Sequence, residues 1–396
     1  MATEFSFMGF DLFEVARNGC LSVLNVALDN FDLYSTSVDF QDEEGNTLLH
    51  YIAEKGNAET VGKLLENNAF GDILNVRKET ALHLACRGGH FETARLLIRS
   101  GAKLDAKDCR GETPLFKSAM NAHTILTKYL IAEGADLHCR DKINRTLLHV
   151  AAETGNEKLA ELLLSRDFDP NAATRCGETP LQLSIKSSSY ETFKLLLKFG
   201  ADYNATDTKD ATLLHAAVQL NRRDVCVDLL ALKVDVNATD VEGSTALHLA
   251  AERNMPDMIK LLLENGAVVD AKDVDDYTPL HVAAGRKSNF AAVEMLLKND
   301  ASTDAVTFNG DLALHRAVAS GNEGAVALLC DLKYINCRNR DGYTPEALAR
   351  ANGRISIEET LKQMNLDAES VRLKKKKRVS FTGIPIMREK RIATDY

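Results

Sequence analysis

Ten histidines are the side chains of this sequence best suited to bind a metal or to transfer a proton near neutral pH. Seven of them recur once per repeat, three residues after a helix-starting position: His50, His83, His149, His215, His248, His281 and His315. A metal site needs ligands at short spacing, which this pattern does not supply. A ring at the third helical residue can reach back to the start of its helix. The spacing therefore predicts structural histidines, and His90, His123 and His138 are expected to be polar surface residues.

No other residue pattern predicts catalysis. The sequence contains no Gly-x-Ser-x-Gly elbow, no phosphate-binding Gly-x-x-x-x-Gly-Lys loop, no Gly-x-Gly-x-x-Gly fingerprint and no His-Glu-x-x-His pair. Asp275 and Asp276 are adjacent carboxylates, but they fall in a predicted turn, where solvation is expected rather than acid–base work. We therefore expect a non-enzymatic protein with no cofactor and no small-molecule substrate.

Composition and charge further narrow the class of protein. The 396 residues include 48 Lys and Arg against 57 Asp and Glu, a net charge of −9, with 45% hydrophobic and 27% charged residues, as in soluble globular proteins. An acidic chain is a poor nucleic-acid binder, and no run of about 18 apolar residues predicts a membrane span. The first residues lack the basic and apolar regions of a signal peptide, and eight cysteines are scattered. We expect the thiols to be free, and we expect the protein to be cytoplasmic, nuclear or both.

The elements that position these residues repeat every 33 residues. A threonine opens each unit at Thr47, Thr80, Thr113, Thr146, Thr179, Thr212, Thr245 and Thr278. Threonine caps helix N-termini, and the Pro that follows it in several units suits the first helical position. Gly or Asn nine residues later suits a helix end, and a Val-x-x-Leu-Leu-like segment predicts a second helix. Phe116 and Gln182 replace the usual His; local loosening is expected there, with a partner-contact site as the alternative.

The tetrads Thr80-Ala-Leu-His83, Thr245-Ala-Leu-His248 and Thr278-Pro-Leu-His281 resemble the ankyrin repeat, and the resemblance covers about residues 10–364. It implies an all-α solenoid of stacked helix pairs with β-hairpin fingers, in which neighbouring units bury one another's apolar faces. Residues 1–40 are predicted to form an N-terminal capping ankyrin-like unit, 41–364 an array of ten units that ends in a cap, and 365–396 a disordered basic tail.

The fingers between units vary in sequence. By resemblance to ankyrin arrays, which bind protein partners with their finger tips and inner helices, the array is expected to bind a protein client. The candidate contact residues are Lys107, Asp108, Arg110, Asp240, Glu242, Asp273, Asp275 and Asp276. Plain solvated turns are the alternative interpretation for any single finger.

The tail differs from the array in charge. Residues 365–396 carry a net charge of +5, which leaves −14 for the rest. Within the tail, Arg378-Val379-Ser380-Phe381 resembles the RVxF docking motif of regulatory subunits of protein phosphatase type 1. In that family the Val and Phe fill two apolar pockets while the segment adds to a sheet edge. The resemblance implies that Arg378, Val379 and Phe381 dock the phosphatase catalytic subunit.

Three further interpretations of the tail stay open. Lys374, Lys375, Lys376, Lys377 and Arg378 resemble a nuclear-localisation signal, which would make the protein a nuclear or cytoplasmic adaptor without phosphatase. A solubilising tail folded onto the acidic array is the plainest alternative. Nucleic-acid or membrane-surface binding is disfavoured by the single Phe and the lack of an amphipathic repeat. Ser380 follows Lys377 and Arg378 and resembles a kinase site, so its phosphorylation is expected to oppose docking.

Overall fold

A computed structural model describes residues 6–7, 10–29, 38–187, 189–331 and 333–366. These residues form two compact units that divide between Leu229 and Leu230. Helix α14 (Arg223–Ala231) spans the division. The predicted boundaries at 40 and 364 fall elsewhere and stay predictions.

The first unit begins with a two-stranded antiparallel sheet, β1 (Ser6–Phe7) and β2 (Phe10–Asp11). Helix pairs follow. They are α1 (Leu12–Asn18), α2 (Leu21–Asp29), α3 (Leu48–Lys55), α4 (Ala58–Glu66), α5 (Ala81–Gly88), α6 (Phe91–Arg99), α7 (Pro114–Met120), α8 (Thr124–Ala132), α9 (Leu147–Thr154), α10 (Glu157–Leu164), α11 (Pro180–Lys186), α12 (Tyr190–Lys198) and α13 (Leu213–Gln219). First helices pack in sequence, α1 on α3 and onward to α13, so each repeat buries its neighbour.

The second unit repeats the plan. Its helices are α15 (Ala246–Glu252), α16 (Pro256–Glu264), α17 (Pro279–Ala284), α18 (Phe290–Lys298), α19 (Ala313–Ser320), α20 (Glu323–Leu329), α21 (Pro345–Ala351) and a further helix, α22, over 355–366. Here α15, α17, α19 and α21 stack as first helices, while α16, α18 and α20 stack as second helices. None of the described helices has the length and apolar character needed to cross a bilayer.

Helix ends follow the predicted residue types. Thr47 accepts a hydrogen bond from the His50 N–H, and Gly56 ends the same helix at φ 74°. Asn221 and Asn254 take the same left-handed conformation at φ 55° and 56°. Asn adopts this region more readily than other non-glycine residues, which explains its use where Gly is absent.

The repeated histidines cap their helices and also join neighbouring repeats. The Thr80 N–H donates to His83 Nδ1 at 3.1 Å. Because Nδ1 accepts, the ring proton lies on Nε2, which donates to the Glu112 carbonyl of the next repeat at 3.1 Å. The cap was predicted, whereas the bridge between repeats was not. Equivalent bonds run from His50, His149, His248, His281 and His315 to the carbonyls of Glu79, Glu178, Tyr277, Asp311 and Tyr343.

The two departures from histidine are not loosened, contrary to expectation. Phe116 is fully buried and ranks among the largest side chains of the core. Gln182 keeps the cap, since its Oε1 accepts from the Thr179 N–H at 2.8 Å. An amide oxygen reproduces the acceptor that the imidazole supplies elsewhere.

The fingers are tight turns. In one of them the Asp108 N–H donates to the Glu112 carbonyl at 3.0 Å, and the Cys109 N–H donates to the Arg77 carbonyl of the preceding finger at 2.8 Å. Among the described residues, the fingers contain only isolated bridges, at Thr206–Thr212 and Thr239–Thr245. The described fingers are therefore turns and not the extended β-hairpins that were predicted, whereas the solenoid of stacked helix pairs is as predicted.

Candidate protein-binding surface

The finger tips carry exposed charged and apolar side chains. We define a tip as the residues four and three positions before each helix-capping residue. In the first unit five successive tips present an exposed cation: Arg77, Arg110, Lys142, Arg175 and Lys209. Side chains at neighbouring tips are held together by the backbone bonds between fingers, such as Lys142 N–H to the Arg110 carbonyl at 2.8 Å. This series forms a basic edge on an otherwise acidic array.

Three successive tips of the second unit begin with an exposed apolar residue, as the tip at Val76 does in the first unit. Val241, Val274 and Phe308 are 55%, 69% and 59% exposed, and they occupy the same repeat position on three successive fingers. Glu242 and Asp275 follow the two valines and are also exposed. The Val274 N–H donates to the Glu242 carbonyl at 3.1 Å, which fixes adjacent tips side by side. An ordered row of exposed apolar side chains is typical of a protein-interaction surface.

Seven of the eight predicted contact residues are at least partly exposed. Lys107, Arg110, Glu242 and Asp275 are exposed, while Asp240, Asp273 and Asp276 are partly exposed. Asp240 and Asp273 accept backbone N–H bonds inside their own turns, so they shape the fingers. The apolar tips beside them were missed, although their common repeat position was readable from the sequence.

Asp108 departs from the expectation of a tip contact, because it is only 4% exposed. Its Oδ2 lies 2.7 Å from Lys117 Nζ. Burial alone would raise the pKa of Asp108, but the hydrogen bond and charge of Lys117 and nearby backbone N–H groups hold it below its ordinary value. The Asp108 carboxylate therefore binds groups of its own chain.

Lys117 is the centre of a buried group of charges in the first unit. Its Nζ lies 2.6 Å from Glu112 Oε2 and 3.8 Å from Glu79 Oε1, and the three side chains are at most 3% exposed. An isolated buried ammonium would be very costly, so several carboxylates around it are required. They come from two successive fingers, which the cation clamps together.

Arginines extend this group in both directions. Arg87 pairs with Glu79 at 3.0 Å and with Glu54 at 2.7 Å. Arg145 pairs with Glu112 at 3.1 Å and with Asp141 at 2.7 Å. We call the whole set the charged row: Glu54, Glu79, Arg87, Asp108, Glu112, Lys117, Asp141 and Arg145. It runs through four successive repeats and fixes their first helices relative to their fingers.

The predicted tail residues lie outside the described residues. These are Lys374, Lys375, Lys376, Lys377, Arg378, Val379, Ser380 and Phe381. Within the described part of the chain, no group of three or more His, Cys, Asp or Glu side chains is arranged to hold a metal ion.

Comparison with known families agrees with the geometry. The family described as ankyrin repeats (3 copies) matches residues 12–108, 102–174, 167–240 and 214–307. The chain therefore belongs to the ankyrin-repeat family, whose members are generally protein-interaction modules. Helices α19 to α21 continue the helix-pair pattern beyond the matched residues. No curated protein matches the chain.

Proposed function

We propose that this protein-binding scaffold joins a protein client, held by the ankyrin array, to protein phosphatase type 1, held by the tail. Membership of the ankyrin-repeat family supports the scaffold. The observation that carries client binding is the row of exposed tips, Val241, Val274 and Phe308, because ordered apolar side chains gain free energy when a partner removes them from water.

Recruitment of the phosphatase rests on the sequence Arg378-Val379-Ser380-Phe381. Val379 and Phe381 are the two apolar anchors, and four lysines precede them. Cations next to the anchors speed encounter with an acidic partner surface. Two binding modules on one chain raise the effective concentration of the phosphatase at the client, which is the mechanism we propose for directing dephosphorylation.

A pull-down with the full chain as bait tests this proposal. The variant Val379→Ala with Phe381→Ala removes both anchors and leaves the charge unchanged. Ile384→Ala with Ile386→Ala is the matched control, since it removes similar apolar area from the same tail. The phosphatase catalytic subunit should be recovered with wild type and control and lost with the anchor variant. Equal recovery from all three baits would overturn the proposal.

The second candidate is an adaptor whose tail acts only in nuclear import. Five consecutive cations, Lys374 to Arg378, favour it. Replacing the four lysines by glutamine and imaging the cell would show loss of nuclear signal, whereas the anchor variant would localise as wild type. A nuclear or cytoplasmic location, or both, is part of this proposal.

A further inference from the structure

Two cations occupy the same repeat position but have opposite surroundings. Lys117 and Arg316 each lie four residues after the capping residue of their first helix. Around Lys117, the three facing positions are Asp108, Glu112 and Glu79, all carboxylates. The corresponding positions for Arg316 hold Thr307, Asp311 and Tyr277. Two of the three carboxylates are therefore missing at Arg316.

The remaining carboxylate, Asp311, is hydrogen-bonded to another residue. Asp311 Oδ1 accepts from Asn339 Nδ2 at 2.8 Å. Arg316 instead places its guanidinium carbon 5.1 Å from the centre of the Tyr277 ring. Its Nε is buried and donates to no acceptor, and Arg316 forms no ion pair with any described residue. A cation–π contact compensates only part of the cost of a buried N–H without an acceptor.

The guanidinium borders an open cavity of about 360 Å³. Gly285 forms part of its wall, and an added Cβ there would lie 3.6 Å from Arg316 Nε. Preceding repeats carry long side chains at this position, such as Arg87, Glu153 and Glu252. The absence of a side chain at Gly285 therefore leaves space beside the Arg316 side chain.

We propose that Arg316 is a subsite for a carboxylate of the protein client, an Asp or Glu side chain that takes the place of the carboxylates found around Lys117. This inference rests on the proposed binding of a client by the array. Arginine presents paired N–H donors that match the two oxygens of a carboxylate. Tyr277 shields one face of the guanidinium from water, which strengthens the pair.

The cavity favours a singly charged group over a phosphate. Glu242 and Glu252 line it together with Arg286 and Arg316, and Glu252 already pairs with Arg286. Positive and negative charges therefore balance before a ligand enters. A carboxylate adds one negative charge near Glu242, whereas a phosphate adds nearly two and is repelled more strongly.

NMR of the full chain, labelled with ¹⁵N, tests the subsite with acetate as the probe. The Arg316 Nε–H signal is assigned by its loss in Arg316→Lys. Sodium acetate then replaces sodium chloride at constant ionic strength. Arg316 should show a saturable shift, whereas Arg145, already paired, should not. An Arg316 response that is linear and no larger than that of the exposed Arg253 would overturn the proposal.

A substitution that supplies the carboxylate from within gives an independent check. Gly285→Glu should move the Arg316 signal toward its acetate-bound position without acetate and abolish the response to added acetate. Gly285→Gln, of matched size, should leave the response to acetate in place. An unmoved Arg316 signal in Gly285→Glu would contradict the inference. A stronger response to inorganic phosphate than to acetate would overturn the carboxylate assignment. Neither outcome affects phosphatase recovery by the tail.

Discussion

Lys117 Nζ lies 2.6 Å from Glu112 Oε2, and the two side chains are 3% and 1% exposed. The carboxylate directly precedes the capping residue Thr113, and the lysine lies on the helix that Thr113 starts. Their pairing therefore ties a finger to its own helix. Glu79 and Asp108 add contacts on the same Nζ, so one cation holds two fingers.

Removing this cation should destabilise the first unit strongly. Lys117→Ala leaves Glu112 and Asp108 buried without their main partner, and breaking such a group costs about 3–5 kcal/mol. The free energy of unfolding from urea titration measures the loss. Lys186→Ala is the control: its partner Glu178 and Lys186 itself are 34% and 53% exposed, so that loss should stay below about 1 kcal/mol.

A compensated variant separates charge from packing. Lys117→Met combined with Glu112→Gln and Asp108→Asn removes the cation together with two of its carboxylates while keeping the side-chain sizes similar. We expect it to recover most of the stability lost in Lys117→Ala. A loss in Lys117→Ala no greater than in Lys186→Ala would show that the buried pair contributes little.

The sequence predicted helix pairs well because each boundary depends on local chemistry. Thr47 and Gly56 mark the ends of one helix through a cap and a left-handed residue, and neither needs a distant partner. The charged row depends instead on side chains that meet only when a finger folds against its helix and neighbouring repeats stack, as Arg145 and Glu112 do across 33 residues. Asp108 illustrates this limit: it was expected at an exposed tip, and its burial follows from the position of Lys117.

The histidine bridges predict a loss of stability on acidification. The pKa of His281 is lowered to about 4, mainly by burial; the Asp311 carbonyl opposes this shift and the charge of Arg316 contributes to it. Because the unfolded value is about 6.5, the unfolded chain takes up the proton first as pH falls. The stability that the folded protein gains from keeping His281 neutral is fully present above pH 6.5. It is lost as the pH falls from 6.5 to 4, and the loss amounts to about 3 kcal/mol for this residue.

His281→Gln tests this linkage. Glutamine preserves the cap, as Gln182 does with Thr179, but it does not titrate. At pH 7 the variant should be less stable than wild type by about 1 kcal/mol, through loss of the bond to Asp311. Its stability should fall less steeply between pH 6.5 and 4. If the urea midpoints of the two proteins fell by the same amount across this pH range, His281 would not be the source of the pH dependence.

The helix end at Gly56 should tolerate no side chain. Gly56 has φ +74°, and an added Cβ would collide with the ring of His90, whose Nε2 donates to the Glu54 carbonyl at 2.8 Å. Gly56→Ala should cost about 2–3 kcal/mol, from left-handed strain and the displaced bond. Gly353→Ala, at φ +65° with open space around it, should cost about 1 kcal/mol. Thermal melts compare them, and equal losses would exclude a role for His90.

Client binding should depend on the apolar tips of the second unit. Val274→Ser with Phe308→Ser removes two of its exposed apolar groups, so proteins captured by the wild-type array should be lost. Val268→Ser with Val306→Ser is the control, because these side chains are 53% and 45% exposed but lie off the tips. Quantitative mass spectrometry of material captured by each bait gives the comparison. Phosphatase recovery should be the same with both baits, and clients retained by the tip variant would place the contact elsewhere.

Phosphorylation of Ser380 should weaken recruitment of the phosphatase. Ser380 lies between the anchors Val379 and Phe381, and phosphate adds about −1.5 to −2 charges where two apolar side chains must enter pockets. Ser380→Asp should therefore lower the affinity of the full chain for the catalytic subunit, measured by calorimetry, while Ser380→Ala should not. Thr382→Asp places the same charge just beyond the anchors and should have a smaller effect. If Ser380→Asp binds as tightly as wild type, charge at this position does not control docking.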